Sequence, residues 1–427
     1  HEVGQAITTG VENTLIGARA GDALTDSSYN VALGGYALTS DTRGNRSVAV
    51  GHNALYSQNF TSVTATYNVA VGMSAGLSVT TGTLNTLIGG LAGDAITTGQ
   101  ANTALGYRSL SSTTTASSNT AIGVDALTSN TTGTSNTAVG RDTLNQQTTA
   151  SYNTALGHQA LNLNTSGVSN TASGFKALFA NTTGHSNVAF GANSLQPNTT
   201  GSQNTGLGKG ALASNSTAHN NTAVGFESLV SNTTGTQNTA VGSFSLDANT
   251  TGDYNTAMGY AALGAATTAT SNTAVGKGAL TTNVVGHRNT ALGFEAAELS
   301  TASDNVAIGY KALDTTTSGS NNTAVGTEAM DANTTGSANV AVGYRTLDAN
   351  TTGSNNVALG QYAMGTNTTA SNNTAVGYSS LATNTTGSTN VAVGFNSLRL
   401  NTTGSDNVAV GELALENNTT GIRNTAL

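Results

Sequence analysis

The chain of 427 residues contains no cysteine, no tryptophan and a single proline, Pro197. Without cysteine there is no disulfide framework and no thiolate metal site. Charged residues make up 8% of the chain, against about a quarter in an ordinary globular protein. Its 13 lysines and arginines are scattered, so they form no basic face for nucleic acid. The net charge of −8 is spread as thinly, with no acidic block. No apolar run approaches 18 residues, and that excludes a membrane-spanning helix. No signal peptide is visible; His1 already lies within a repeat, which reads as a mature or excised piece. So little charge and so few aromatics match a disordered chain, but the regular placement of Val, Leu and Ile opposes that reading.

What the chain has instead is one pattern, written again and again. "SNTAVG" at Ser135–Gly140 returns as "YNTALG" at Tyr152–Gly157 and "SNTASG" at Ser169–Gly174. With the Asn as position one, the unit recurs 25 times from Asn13 to Asn424, nearly always 17 residues apart. Two spacings differ. Ser47 stands in for the Asn, and the step from it to Asn68 is four residues longer; the step from Asn289 to Asn305 is one shorter. A fixed period of this kind marks a repeat architecture and overrides any domain count drawn from length. The expectation is one continuous array over residues 1–427.

Each column has a physical reading. Position two is always Thr or Val, position three is Ala except at Leu15, Leu87 and Gly206, and position four is apolar except at Ser173. β-Branched residues favour extended backbone, and side chains alternate across a strand. Positions two and four are therefore expected to face the core, with position three opposite. Position five is Gly in every unit that reaches it, as in Gly140, Gly157 and Gly174, where a Cβ would obstruct a turn or a close neighbour. Positions eight and nine are commonly Ala-Leu or Ser-Leu, and a second short strand is expected there. Positions twelve to fifteen are typically "NTTG", which is turn chemistry. The fold class is accordingly all-β, a β-solenoid of about 25 coils. At the strand spacing of about 4.8 Å the stack predicts a rod on the order of 120 Å long. Asn136, Asn153 and Asn170 are expected to form a ladder whose amides bond coil to coil.

The Ala column sets a further expectation. A solitary solenoid should show water a polar, variable face, yet position three is Ala in 22 of 25 units. Ala138, Ala155, Ala172 and Ala189 are therefore the expected oligomer face, most simply around the axis of a coaxial homotrimer. The alternative is tight packing within one wider monomeric coil.

The string "N-T/V-A-V-G-x-x-A-L" resembles the "S-V-A-I-G-x-x-A" repeats in the head domains of trimeric autotransporter adhesins. It is similar, more closely, to the "NTAVG-x-x-AL-x-x-NTTG" arrays of phage tail-fibre-like proteins. The resemblance covers Asn13 to Leu427. It implies a left-handed trimeric β-roll, an extracellular, cell-surface or virion location, and a part in adhesion or host attachment through a surface glycan or receptor. Adhesin heads use a shorter repeat of about 14 residues, and the extra residues here fall in the "NTTG" turn.

Catalytic chemistry finds little support. The turns lack the carboxylates of calcium-binding β-rolls. No nucleophile–base pair or phosphate loop stands out, so neither an enzyme nor a cofactor is expected. His185, His219 and His287 share one turn column, two or more coils apart, and are expected to be solvated; His1, His52 and His158 are read likewise. Glu295 and Glu298 lie near the one-residue deletion, where a solvated face is expected. Asn181, Asn198, Asn215, Asn232 and Asn249, then Asn333, Asn350, Asn367, Asn384, Asn401 and Asn418, each begin an N-x-S/T sequon, which is expected to reflect turn composition; the alternative is a stripe of glycans along the rod. Position six often carries an aromatic, among them Tyr107, Phe175, Phe226, Tyr260, Phe294, Tyr310, Tyr344, Tyr378 and Phe395, expected to pack across neighbouring coils.

The function expected is mechanical: a structural rod of a surface or virion fibre, with multivalent weak contacts along its length. Both ends fall mid-pattern, which reads as a segment of a longer chain or one that stacks end to end. The rival is a ligand-binding solenoid that presents Thr, Asn or aromatic ladders to glycan or ice.

Overall fold

A computed structural model describes residues 2–427; His1 lies outside them. The chain divides into two compact units, His1–Ala218 and His219–Leu427, and the same coil builds both. The fold is all-β, a parallel β-solenoid with a 17-residue coil, and no helix occurs among the described residues.

One strand is written per coil, and it is short: three residues at positions two to four, as in Thr137–Val139 and Thr154–Leu156. Neighbouring strands lie parallel and in register, Thr137 opposite Thr154, Ala138 opposite Ala155, Val139 opposite Leu156. The two irregular spacings leave this ladder intact. Across the insertion Val48 pairs with Val69, and the extra residues form a second small ladder of Gly44–Asn45 with Thr64–Ala65. Across the deletion Thr290 pairs with Val306. There the residue lost is the outward one between Thr301 and Ala302, where the coil has no interior to disturb.

The alternation of the strand is opposite to that expected. Ala138, Ala155 and Ala189 are fully buried and Ala172 all but so, inside a single chain, while positions two and four point outward. Position three shares its face with position one. Burying the Asn ladder therefore carries the Ala inward with it. The interior is thin enough that Ala is the side chain that fits beside one Leu per coil, Leu127, Leu144, Leu161 and Leu178 among them.

The Ala-Leu pair is not a second strand. Positions seven and nine hold left-handed backbone, as at Lys176 (φ 52°) and Leu178 (φ 52°). Each such L-residue costs roughly 1–2 kcal/mol. The gain is hydrogen bonding: the alternation sends the Lys176 N–H to the His158 carbonyl one coil back (3.1 Å) and the Leu178 N–H to the Ser194 carbonyl one coil on (2.9 Å). A bend that would leave backbone groups orphaned is thereby tied to both neighbours. Residues before each Asn, such as Ser135 (φ 57°) and Tyr152 (φ 63°), repeat the device at the other corner.

Candidate functional surfaces

Two buried asparagine ladders hold the coils together. In the first, at position one, the Asn136 side-chain oxygen accepts the Asn153 backbone N–H (3.0 Å), and that of Asn153 accepts the Asn170 N–H (2.9 Å). Each side-chain amide also donates across the coil to the position-fifteen carbonyl, Asn136 to Ala150, Asn153 to Gly167, Asn170 to Gly184. The second ladder is the sequon column. Asn181 Nδ2 donates to Asn164 Oδ1 (2.8 Å) and to the Gly184 carbonyl (2.9 Å), and Asn367 does the same to Asn350 and Ala370. These side chains are fully buried. A glycan would have to displace one of those donor hydrogens and open the coil, so the column is structural.

Gly140, Gly157 and Gly174 combine two constraints. Gly157 sits at φ 125°, and a Cβ there would lie 2.7 Å from the Gly174 carbonyl oxygen of the next coil. Gly140 and Gly174 meet the same obstruction from Gly157 and Gly191.

The core also trades volume between columns, a signal that column-by-column reading missed. Where position three is Leu87 rather than Ala, position nine is glycine in its own coil and the coil before, Gly93 and Gly76, and the Leu87 side chain fills both gaps. Position twelve then turns apolar, as Ile96 and Val79, in place of Asn. Leu15, with Gly4, Gly21, Ile7 and Leu24, repeats the exchange. At the insertion, Ser47, Gln58 and Asp41 replace the Asn pair: Gln58 Nε2 donates to Asp41 Oδ2 (2.6 Å) and Ser47 Oγ (2.8 Å). Asp41 is fully buried, and burial pushes its carboxyl up from the ordinary value, against hydrogen bonds from Gln58, Gly44 and Phe60 that pull it down.

With the Ala column inside, Ala138, Ala155, Ala172 and Ala189 cannot be the surface that meets a partner. The strand face open to one is positions two and four. There Leu105, Leu156, Phe190, Leu207, Met258 and Leu292 stand exposed, each between 43 and 51%. The hydroxyls of the turn are partly used within the stack: Thr351 Oγ1 donates to the Thr368 carbonyl and Thr368 to that of Thr385. A serine column at position sixteen, also missed, accepts backbone N–H groups coil after coil, Ser337 to Ser354 and Ser354 to Ser371, each 3.0 Å. His287 takes that role too, its Nδ1 accepting the Thr270 N–H at 3.0 Å, so it is part of the stack rather than merely solvated. His185 is exposed, and His158 lies against the Phe175 ring.

Along the coil edge, positions six, seven and ten carry the aromatics and most of the charge. The rings pair between neighbours: Phe294 on Tyr310 and Tyr378 on Phe395 are stacked at 5.6 and 5.5 Å, and Phe244 meets Tyr260 edge to face at 5.9 Å. All but Phe244, which is half-buried, remain exposed. Glu295 is bridged by Lys277 (3.3 Å) and Lys311 (3.4 Å), and Lys311 also holds Asp314. Burial raises the Glu298 carboxyl, with Glu295 and Asp314 adding to it. A surface cleft of about 470 Å³ opens on this edge, between Asp247, Tyr260, Gly264 and Thr281. Among the described residues no three His, Asp or Glu side chains converge as a metal site would need. No helix among them is long and apolar enough to cross a membrane.

No protein-family model matches the chain, and no curated protein matches it significantly in sequence.

Proposed function

We propose that this chain is a structural shaft segment of an extracellular or virion fibre, contributing to adhesion or host attachment. Copies of it associate side by side, most simply as a coaxial homotrimer. The observation that carries the reading is the outward ladder at position four. It is apolar in all but one coil, and its Leu, Phe and Met members from Leu33 to Leu359 are 37–51% exposed in the single chain. Within each unit such an apolar ladder marks an interaction face rather than a solvated one. A second copy suits it because the ladder runs at the same coil spacing in every copy, so side chains interdigitate along the whole contact.

The interior supports a mechanical role as well. Its buried asparagines are engaged in coil-to-coil bonds along both ladders. Sedimentation equilibrium on the full chain tests the proposal. A trimer mass is expected, falling toward the monomer when Leu156, Phe190 and Leu207 are together replaced by glutamate. A monomer throughout the micromolar range overturns it.

A further inference from the structure

We propose that the cleft at Gly264 is a binding site for an organic ammonium group, held by the Asp247 carboxylate and the exposed Tyr260 ring. This goes beyond the shaft reading and uses a different surface, the coil edge instead of the outward strand face.

On the coil edge most position-ten carboxylates stand near a cation; Asp22, without an ion pair among the described residues, accepts the Thr39 hydroxyl instead (2.6 Å). At position ten, Asp94 is acted on by Arg108, Glu298 by Lys311 and Lys277, Asp331 by Lys311 and Arg345, and Asp348 by Arg345. Asp314 pairs with Lys311 at 3.2 Å, and Glu416 with Arg399 at 2.9 Å. Asp247 occupies the same column. It has no ion pair among the described residues, and the charge that acts on it is another carboxylate, Glu227. Partial burial already pushes the Asp247 carboxyl up, and Glu227 adds in the same direction. A cation delivered to this point relieves both.

The aromatic rings complete the comparison. Three times on this edge a cation sits between a carboxylate and a ring. Arg19 bonds Glu2 (3.2 Å) beside Tyr36 (5.8 Å), Lys277 bonds Glu295 (3.3 Å) over Phe294 (4.6 Å), and Arg345 bonds Glu328 (2.5 Å) over Tyr344 (5.6 Å). At the cleft the carboxylate and the ring are present and the cation is not supplied by the chain. Tyr260 is 55% exposed and is braced edge-on by Phe244.

Room for a ligand comes from one residue. Position ten is Asp247 in one coil and Thr281 two coils on; between them it is Gly264, whose missing side chain leaves the gap. A Cβ at Gly264 would already lie 3.2 Å from Asp247 Oδ1. The cleft, about 470 Å³ and open to solvent, has room for a small headgroup between Asp247 and Tyr260. A ring face with a carboxylate beside it is the chemistry that recognises alkylated ammonium groups.

The test uses the full chain and choline chloride as the probe, read by saturation-transfer NMR and titration. The neutral isostere 3,3-dimethylbutan-1-ol keeps the shape and lacks the charge; methyl glucoside serves as the uncharged sugar. Choline is expected to bind, the two neutral probes are not, and Asp247→Asn is expected to weaken choline by at least about tenfold. Gly264→Thr copies Thr281 from the same column and is expected to abolish binding with the fold kept, as checked by circular dichroism. Absence of choline binding overturns the proposal. So does binding that survives both Asp247→Asn and Gly264→Thr, or methyl glucoside binding in place of choline. Sedimentation of Asp247→Asn is expected to match the parent, so failure here leaves the shaft reading standing.

Discussion

The side-chain oxygen of Asn153 accepts the backbone N–H of Asn170 at 2.9 Å, 17 residues on. The same amide donates to the Gly167 carbonyl and to Gln147 Oε1, both at 2.8 Å. One buried side chain thus joins two coils and closes its own. Asn153→Ala removes all three bonds and leaves a buried N–H without a partner. The expected local cost is about 2 kcal/mol or more, an exchange rate at the Asn170 amide raised roughly 30-fold. Hydrogen–deuterium exchange at that amide checks it; unchanged protection would sink the ladder's role.

Two glycines separate conformation from contact. Gly157 and Gly278 both hold left-handed backbone, φ 125° and 72°. A Cβ at Gly157 would meet the Gly174 oxygen at 2.7 Å, whereas one at Gly278 meets first the flexible Glu295 side chain, at 3.2 Å. Gly278→Ala is expected to show only the conformational cost, about 1–2 kcal/mol. Gly157→Ala adds the collision and is expected to disrupt its coil outright. Limited proteolysis of the two variants distinguishes them, and equal resistance would refute the steric account.

The period, the strand, the glycine turn and the Asn ladder were all legible in the sequence, because each is enforced in every coil. The direction of the strand was not. Alternation fixes that Thr137 and Val139 oppose Ala138, but it does not say which face is inside. Hydrophobicity suggested Val139; the buried Asn136 on the same face as Ala138 decided otherwise. The left-handed Lys176 and Leu178 were equally hidden, since nothing in a Lys or Leu announces φ near 52°. The volume exchange at Leu87, Gly76 and Gly93 was present in the sequence, but it crosses columns and coils. The cleft at Gly264 has no motif, only a glycine where its neighbours carry side chains.

That volume exchange makes a prediction of its own. Leu87→Ala leaves a hole that Gly76 and Gly93 have no side chains to fill. The loss expected is about 3–5 kcal/mol, at the upper end for such a truncation. Adding Gly93→Leu returns positions three and nine to the common Ala-Leu arrangement once the end of the Ile96 side chain, 2.8 Å from the new Cβ, turns aside. The double variant is expected to be more stable than Leu87→Ala alone in urea unfolding, and a double variant weaker than the single contradicts the exchange.

Asp41 gives the insertion a dependence on pH. Its carboxyl is raised by burial above the ordinary 3.8. Between that value and the raised one, the folded chain holds more proton than the unfolded chain. Stability from this group is therefore fully present below the unfolded value and is lost as pH rises through the folded one. Asp41→Asn removes the titration. The difference in urea midpoint, parent minus variant, is expected to fall as pH is raised from 4 upward; a flat difference would show that Asp41 does not titrate with folding.

Gly206 replaces Ala at position three, and a Cβ there would lie 2.5 Å from Ser194 Oγ. Taken alone, that contact predicts damage from Gly206→Ala. Other coils show the way out. Ser194 Oγ donates to the Gly206 carbonyl at 2.9 Å, but at the equivalent positions Ser228, Ser245 and Ser380 turn onto the carbonyl of their own coil's glycine, Gly225, Gly242 and Gly377. Each of those coils is followed by one with Ala at position three: Ala240, Ala257 and Ala392. Ser194 has the same option in Gly191. Its rotation clears the space, keeps its hydroxyl bonded, and lets an alanine take the place of the most flexible residue in a strand. Gly206→Ala is expected to raise stability by about 0.5–1 kcal/mol. The gain should vanish in Ser194→Val, where a branched side chain has no such rotation to a polar partner. Melting temperatures of the two backgrounds measure it, and a loss of stability in Gly206→Ala on the parent background would show that Ser194 is fixed.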